Sequence, residues 1–254
     1  MTHAIADSIP FLITRPAGKA DNLLTSLDND GIAYLYQPLI TTAQVGLKTQ
    51  DLPLLQQADA IIFVSVSAVS CLQNQVEAAA LTAPLFAVGQ TTAMALQRWL
   101  AREVIVPEDQ RSEGLLQLPQ LQQVSGKTVA IVRGNAGREL IKQGLVWRGA
   151  NVRYIQSYKR QPLPLDGALL CQQWQQAGIR CIVATSNEIL QQLFSLVPTA
   201  QLPWLQQRDW VLVSPRMQDS ALALGIAPEN ITLAVNANDS ALLAAISQLK
   251  REYQ

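Results

Sequence analysis

Six turns in this 254-residue sequence carry small polar residues of the kind that hold carboxylates or phosphates. Each turn follows a short apolar run and precedes a helix-like stretch, so backbone N–H groups, hydroxyls and the positive end of a helix dipole converge there. The same residues also suit a second role, as N-caps of the following helices. We expect at least one ligand surface among the six, which are Arg15-Pro-Ala-Gly18, Ser65-Val-Ser67, Gly89-Gln-Thr-Thr92, Arg133-Gly-Asn-Ala-Gly137, Thr185-Ser-Asn187 and Ser214-Pro-Arg216.

The sequence lacks the motifs of several common cofactor and metal sites. The turn after Arg133 has neither the Gly-Lys-Ser/Thr ending of a Walker A loop nor the GxGxxG pattern, so no nucleotide cofactor is predicted. The single histidine, His3, stands near the N-terminus, and the three cysteines have no CxxC spacing. We therefore expect no metal and no cofactor. An enzyme of this composition would act through hydroxyls, amides, arginines and tyrosines, on a substrate that needs mainly orientation.

One aromatic hydroxyl stands out, that of Tyr158, which is followed by Lys159 and Arg160. If its segment bridges two lobes, the hydroxyl can face a bound ligand. In the alternative interpretation, the ring packs as an apolar side chain on a hinge.

Basic residues are concentrated between Lys127 and Arg160, where eight of them accompany one acid, Glu139. Two interpretations remain open, a solvated helix face and a patch that attracts an anionic ligand. The net charge of zero argues against general binding of nucleic acid.

The elements that must position these residues occur twice. Residues 11–21 resemble residues 129–139, and in each copy an apolar run ends in an arginine that a glycine follows 16 residues later, Arg15 with Gly31 and Arg133 with Gly149. Further pairs keep the same order, with Ser65 opposite Ser186 and Gly89 opposite Ser214. Ordered matches with slowly growing offsets indicate an internal duplication, which places a ligand site between two lobes.

Short apolar runs alternate with amphipathic stretches throughout the chain. This alternation predicts an α/β fold with parallel sheets. Helices are predicted at 21–29 and 139–148, and strands at 10–14, 32–36, 60–64, 85–88, 103–106, 128–132, 151–155, 180–184, 210–213 and 231–234.

Two proline-containing segments, 36–42 and 154–164, follow the same element in the two repeats and are predicted to be extended linkers. Two domain arrangements fit. The lobes are consecutive and divide near residues 124–126, or the chain crosses between lobes at both segments and the first repeat joins the C-terminal half. The pattern alone does not decide between them.

The bulk composition suits a globular protein large enough for two domains, with 49% hydrophobic and 15% charged residues. The N-terminal sequence lacks the basic start and long apolar core of a signal peptide, and no apolar run reaches the length of a membrane span. We expect a cytoplasmic protein with reduced cysteines and no membrane contact.

The motifs together resemble the uroporphyrinogen-III synthase family over nearly the whole chain. Leu12-Ile-Thr-Arg15-Pro opens both sequences, and Phe63-Val-Ser65-Val-Ser-Ala-Val69 stands where the family reads close to FTSxNAV. Four further motifs follow in the family's order: Val88-Gly-Gln-Thr-Thr92-Ala (VGxxTA), Ser112-Glu-Gly-Leu-Leu, Arg133-Gly with Gly137-Arg138-Glu (RGxxGRE), and Gln156-Ser-Tyr158-Lys-Arg. The order and spacing of all six motifs carry the resemblance.

The resemblance implies two similar α/β lobes with parallel sheets flanked by helices, joined by a two-stranded extended linker. It favours the discontinuous arrangement, with residues 1–36 and 163–254 in one lobe, 43–153 in the other, and linkers at 37–42 and 154–162.

The resemblance also implies an activity, that of a cofactor-free hydro-lyase of haem and sirohaem synthesis. Such an enzyme dehydrates the linear tetrapyrrole hydroxymethylbilane and cyclises it to uroporphyrinogen III, inverting ring D through a spiro intermediate. A monomer is implied, with hydroxymethylbilane synthase as a candidate upstream partner and no role for nucleic acid or membrane.

By the same resemblance, Tyr158 is the candidate catalytic residue, assisting departure of the substrate hydroxyl. The candidate substrate-binding residues are Arg15, Ser65, Ser67, Gly89, Thr92, Arg133, Gly134, Arg138, Ser186, Asn187, Ser214 and Arg216. One position departs from the family: Met217 stands where the second lobe often has a threonine, in GPxTA, so that hydroxyl is dispensable here or replaced, and Arg216 is a candidate partner for a carboxylate.

A second hypothesis is a cytoplasmic two-lobed protein that binds an anionic small molecule without catalysis.

Overall fold

The computed structural model describes residues 10–137 and 139–253, so the predictions on His3 and Arg138 lie outside the described residues. The strands are β1 (Phe11–Ile13), β2 (Tyr34–Tyr36), β3 (Ile40–Gln44), β4 (Ala60–Phe63), β5 (Leu85–Ala87), β6 (Thr128–Arg133), β7 (Asn151–Gln156), β8 (Tyr158–Pro162), β9 (Cys181–Val183), β10 (Asp209–Leu212) and β11 (Ile231–Leu233). The helices are α1 (Asp21–Asn29), α2 (Asp51–Gln57), α3 (Val66–Gln73), α4 (Gln90–Leu100), α5 (Ser112–Gln117), α6 (Leu140–Trp147), α7 (Gly167–Gln176), α8 (Asn187–Leu196), α9 (Leu202–Gln206), α10 (Pro215–Ala223) and α11 (Asp239–Tyr253). None of the described helices is long and apolar enough to cross a membrane.

The chain forms two compact units, one of Met1–Thr41 with Pro162–Gln254 and one of Thr42–Gln161. We call them unit 1 and unit 2. Each contains a parallel sheet flanked by helices, and β3 and β8 pair in a separate two-stranded sheet. The predicted α/β class with two similar lobes and a two-stranded linker is confirmed.

Unit 2 has the strand order β5-β4-β6-β7. Continuous apolar runs such as Ala60–Phe63 are buried on both faces, as a parallel sheet requires. One face packs against α3 and α4 around Phe63 and Leu96, and the other packs against α5 and α6 around Leu115 and Leu145.

The predicted strand at 103–106 is wrong, because this segment makes a single bridge, between Ile105 and Phe86. The Ile105 N–H donates to the Leu85 carbonyl, and the Ile105 carbonyl accepts from Ala87. In a parallel ladder the next donor along this segment would be the N–H of residue 107. That residue is Pro107, which has no N–H, so the ladder ends there.

Unit 1 has the strand order β11-β10-β9-β1-β2. The N-terminal strand β1 lies between β9 and β2, with Phe11 paired to both Cys181 and Tyr34. The order matches that of unit 2 when β9 is placed on β4, β10 on β5, β1 on β6 and β2 on β7. The register also matches, since Ile13 pairs with Tyr36 as Ile131 pairs with Tyr154.

The start of α7 leaves no room for a side chain at Gly167, where a Cβ would lie 1.8 Å from the Leu196 carbonyl oxygen at the end of α8. We expect Gly167→Ala to lower the free energy of unfolding by about 1–3 kcal/mol or more, because the two helices must separate. A urea titration monitored by circular dichroism measures the loss. Gly46→Ala is the control, since a Cβ there meets nothing within 4 Å. Equal urea midpoints for the two variants would contradict the packing.

Candidate active site

The strands of unit 2 bring several predicted residues to one edge of its sheet. From β4 the chain moves outward to β5, whereas from β6 it moves in the opposite direction to β7. The carboxyl ends of β4 and β6 therefore flank a topological switch point, the place where ligands bind in open parallel sheets. Ser65 follows β4, and Gly134 follows β6, so both lie at this edge.

Three predicted serines, Ser65, Ser186 and Ser214, are N-caps of α3, α8 and α10. Each has an extended backbone, and its hydroxyl accepts a hydrogen bond from the N–H three residues later, at 3.2, 3.3 and 3.3 Å respectively. The capping interpretation is therefore correct for these side chains. Ser65 and Ser186 occupy equivalent places in the two units, as the internal repeat predicts.

The cap of α4 has a different construction because Gly89 has no side chain to supply. Gln110 takes that role, and its Oε1 atom accepts from the Gln90 N–H at 2.9 Å. A Cβ on Gly89 would lie 3.2 Å from this oxygen, so glycine makes room for the Gln110 amide. Thr92 lies on the first turn of α4 and is buried.

Tyr158 is buried within unit 2, with 6% of its surface exposed. Its hydroxyl lies 3.1 Å from Ser65 Oγ, within hydrogen-bonding distance. Its ring lies directly on Gly134, where a Cβ would come within 2.5 Å of a ring carbon. The geometry therefore joins three predicted site residues in one cluster at the ends of β4 and β6.

A pocket of about 200 Å³ opens at the same edge, on the α5 and α6 face. Its walls are largely apolar, and its polar groups come from Ser112, Arg133 and Tyr154. Arg133 is buried, with 8% of its side chain exposed, and its Nη1 donates to Glu139 Oε1 at 2.9 Å. Gly137 has a φ of +137°, and a Cβ there would lie 3.0 Å from Arg133 Nη2, so this glycine leaves the outer edge of the guanidinium uncovered.

Tyr154 and Glu139 complete the polar group of the pocket. The Tyr154 hydroxyl donates to Glu139 Oε2 at 2.6 Å, and the ring packs against the Arg133 guanidinium, 4.5 Å from the ring centroid. Burial and the Glu139 carboxylate raise the pKa of Tyr154 to about 12. The hydrogen bond from Tyr154, and then the one from Arg133, hold the pKa of Glu139 below its ordinary value.

The predicted residues of unit 1 lie at the corresponding edge of its own sheet. Arg15, the counterpart of Arg133, forms an ion pair with Asp239 and also donates to the Ala237 carbonyl. Asn187 begins α8 and Arg216 is exposed on the first turn of α10. Met217, which replaces the frequent threonine, is 3% exposed and packs in the apolar core of the unit.

Two residues of the polar group around the pocket, Glu139 and Tyr154, were not predicted as site residues from the sequence. The internal repeat contains the signal that identifies them. Arg15, Asp21 and Tyr36 have the same spacing as Arg133, Glu139 and Tyr154. Because an arginine, an acid and a tyrosine recur at the same spacing in both repeats, the three residue types are expected to lie close together in the fold.

The basic segment from 127 to 160 combines exposed cations, such as Lys127 and Arg153, with cations that contact groups of their own unit. Arg133 pairs with Glu139, and Arg148 donates to the Leu121 carbonyl at 3.0 Å. Lys142 lies over the Tyr154 ring, 4.8 Å from its centroid. Several of these cations therefore have partners within their own unit.

Comparison with known proteins identifies consistent relatives. The sequence model of the family described as "Uroporphyrinogen-III synthase HemD" matches residues 15–243. The uroporphyrinogen-III synthase of Escherichia coli K12 is 36% identical over 245 residues, which covers 93% of this chain and 99% of that protein. The corresponding protein of Salmonella typhimurium is 35% identical over the same shares. The crystal structure of uroporphyrinogen-III synthetase from Helicobacter pylori shares the fold at 16% identity, with a TM-score of 0.63 over 96% of this chain and 99% of that one.

The lowered pKa of Glu139 predicts a pH-dependent contribution to stability. Because the folded pKa lies below the unfolded one, the contribution is complete above the ordinary glutamate value of about 4.3 and is lost as the pH falls through the folded pKa. We expect Glu139→Gln to lower the urea midpoint at pH 7 and to have progressively less effect below about pH 4. Glu108→Gln, at an exposed position of the same unit, is the control. A difference between wild type and Glu139→Gln that is independent of pH would exclude this pair as its source.

Proposed function

The chain belongs to the uroporphyrinogen-III synthase family, and from that premise we propose which of its residues carry out the reaction. The enzyme is a lyase that dehydrates and cyclises hydroxymethylbilane to uroporphyrinogen III. The reaction breaks the bond between the terminal methylene carbon and its hydroxyl oxygen, and the oxygen leaves as hydroxide with the bonding electron pair. The electron pair of the adjacent pyrrole nitrogen stabilises the resulting azafulvene cation. The substituted carbon of ring D then attacks this methylene carbon and forms a spiro intermediate. The bond from the same ring D carbon to its original methylene bridge breaks, and the free α carbon of ring D attacks the released bridge, which inverts the ring. The free α carbon then loses its proton, which converts the hydroxide to water.

In this proposal Tyr158 assists the first step by donating a hydrogen bond to the departing hydroxyl. The observation that carries the assignment is the 3.1 Å contact between the Tyr158 hydroxyl and Ser65 Oγ at the switch point of the unit 2 sheet. Ser65 accepts from the Ala68 N–H, which fixes its oxygen. Since Ser65 is half-buried, the hydroxyl pair lies at the edge of the unit 2 core, where a ligand can reach it. A positioned donor of this kind lowers the barrier to loss of hydroxide.

The substrate carries many carboxylates, and the proposed function assigns them to donors at the strand ends. In unit 2 the Arg133 guanidinium, the amides near Gly134 and the first turns of α3 and α4 with Ser67, Gly89 and Thr92 are the proposed contacts. Arg138 belongs to the same group by its place in the RGxxGRE motif. The pocket beside Arg133 supports this assignment, because apolar walls that end in a buried guanidinium suit a carboxylate on a short hydrocarbon arm.

In unit 1 the proposed carboxylate contacts are Arg15, Ser186, Asn187, Ser214 and Arg216. The helices that begin at Asn187 and Pro215 direct their first N–H groups to the carboxyl ends of β9 and β10. Support at Asn187 comes from its side-chain oxygen, which is buried and has no partner among the described residues. The exposed Arg216 supplies a charged donor beside the buried Met217.

We propose further that the enzyme works as a cytoplasmic monomer that receives its substrate from hydroxymethylbilane synthase. Hydroxymethylbilane also cyclises spontaneously, to the type I isomer. A short path between the two enzymes would limit that loss.

The role of Tyr158 predicts a rate loss without a loss of fold. We expect Tyr158→Phe to lower kcat by about 100-fold, because the ring keeps its packing on Gly134 while the donor is removed. The measurement is the rate of uroporphyrinogen III formation from enzymically produced hydroxymethylbilane, with type I and type III isomers separated. Tyr34→Phe, on β2 of unit 1, is the matched control. Full activity of Tyr158→Phe would remove this residue from the mechanism, and a type III yield of the wild type no greater than without enzyme would favour binding without catalysis.

The role of Arg133 predicts an effect on substrate affinity. Arg133→Lys keeps the charge but removes the planar pair of donors, so we expect KM to rise about tenfold with a smaller change in kcat. Arg153→Lys makes the same substitution at an exposed position on β7 and should leave KM unchanged. An unchanged KM in Arg133→Lys, with the urea midpoint lowered, would restrict Arg133 to a structural role.

A further inference from the structure

We propose that Asn135 is a positioning residue for Tyr158, and that residues 133–135 form a cradle that fixes the strand carrying this tyrosine. This inference rests on the proposed role of Tyr158. It gives the turn after β6, which the sequence marks as a candidate anion loop, an additional task. Within that turn, the backbone of Arg133, the missing side chain of Gly134 and the carboxamide of Asn135 each hold a different part of residues 157–160.

Asn135 holds Arg160 as a neighbouring strand would. The Arg160 N–H donates to Asn135 Oδ1 at 2.9 Å, and Asn135 Nδ2 donates to the Arg160 carbonyl at 3.2 Å. Both backbone groups of one residue are therefore bound by one side chain. A carboxamide can make this pair of bonds because it presents a donor and an acceptor side by side, as a peptide group does.

Ser157 provides the second anchor, on the other side of Tyr158. Its N–H donates to the Arg133 carbonyl at 3.1 Å, and its carbonyl accepts from the Val45 N–H at 2.9 Å. Its hydroxyl donates to the Ala68 carbonyl at 3.2 Å, and the residue is fully buried. Ser157 thus ties the start of β8 to the end of β6, to α3 and to the segment after β3.

Gly134 provides the third element, a surface for the tyrosine ring. A Cβ at this position would lie 2.5 to 3.0 Å from three ring atoms, so only a residue without a side chain lets the ring lie this close to the turn. The hydrogen bonds of Ser157 fix the position of Tyr158 along β8, and the contact with Gly134 fixes the plane of its ring. The clamp at Arg160 then prevents β8 from rotating about its axis, which would move the hydroxyl away from Ser65 Oγ.

In this proposal Asn135 acts on the reaction only through Tyr158 and does not contact the substrate. Asn135 is exposed, whereas the strand it clamps carries the buried tyrosine. If its effect passes through the Tyr158 hydroxyl alone, removing the clamp must cost activity only while that hydroxyl is present. A double-mutant cycle measures this dependence.

The experiment compares wild type, Asn135→Ala, Tyr158→Phe and the double variant, each assayed for kcat, KM and the ratio of type III to type I product. We expect Asn135→Ala to lower kcat 5- to 20-fold with KM within twofold of wild type. In the Tyr158→Phe background the same substitution should change kcat less than twofold. Asn135→Asp keeps the acceptor for Arg160 N–H but turns an oxygen toward the Arg160 carbonyl, so its kcat should remain below wild type.

Asn151→Ala is the matched control, because Asn151 is also exposed in unit 2 and its side chain donates to a backbone carbonyl, that of Gly126. It should retain wild-type kcat. Equal losses from Asn135→Ala in both backgrounds, or wild-type kcat in Asn135→Ala, would overturn the positioning role while leaving Tyr158 in the mechanism. Full activity of Tyr158→Phe itself would overturn the proposed role of Tyr158 and this inference together.

Discussion

The parallel pairing of β4 with β6 is the constraint on which the site in unit 2 depends. Four consecutive residue pairs, from Ala60 with Val129 to Phe63 with Val132, end both strands at the same level. The serine after β4 and the turn after β6 therefore reach the same edge, although 69 residues separate paired positions in the chain. A shift of one residue in this register would reverse the faces of β6 and carry Arg133 away from the pocket.

The two copies of the repeat have kept this backbone and changed its side-chain bonds. In unit 2, Arg133, Glu139 and Tyr154 bind one another around the pocket. In unit 1, Arg15 is paired with Asp239 from the distant helix α11, and the Tyr36 hydroxyl is buried without a partner among the described residues. The two units therefore share one backbone arrangement and differ in the residue that pairs with the equivalent arginine.

Local pattern was sufficient to predict the fold class and most strands, because buried parallel strands have continuous apolar sequences that differ from amphipathic helices. It was insufficient at residues 103–106, where the apolar pattern is present but Pro107 ends the ladder. Tyr158 was selected from sequence, whereas its contacts with Ser65 and Gly134 depend on pairing between distant strands, which no local pattern encodes. The same holds for the serine N-caps. Their positions were predicted from the sequence, whereas their hydrogen bonds are seen only in the structure.

The charge balance beside Arg133 and that beside Arg15 each suit the reaction in the mechanism that we propose. The substrate binds as a polyanion, but loss of its hydroxyl creates a cation. Uncompensated arginines would strengthen binding of the carboxylates and would also oppose that cation, an effect that grows where water is excluded. Arg133 beside Glu139, and Arg15 beside Asp239, keep guanidinium donors near the strand ends while lowering the positive potential there. In that proposed mechanism the neutral hydroxyls of Tyr158 and Ser65 can serve both stages, since they bind through dipoles and carry no net charge that either stage would repel.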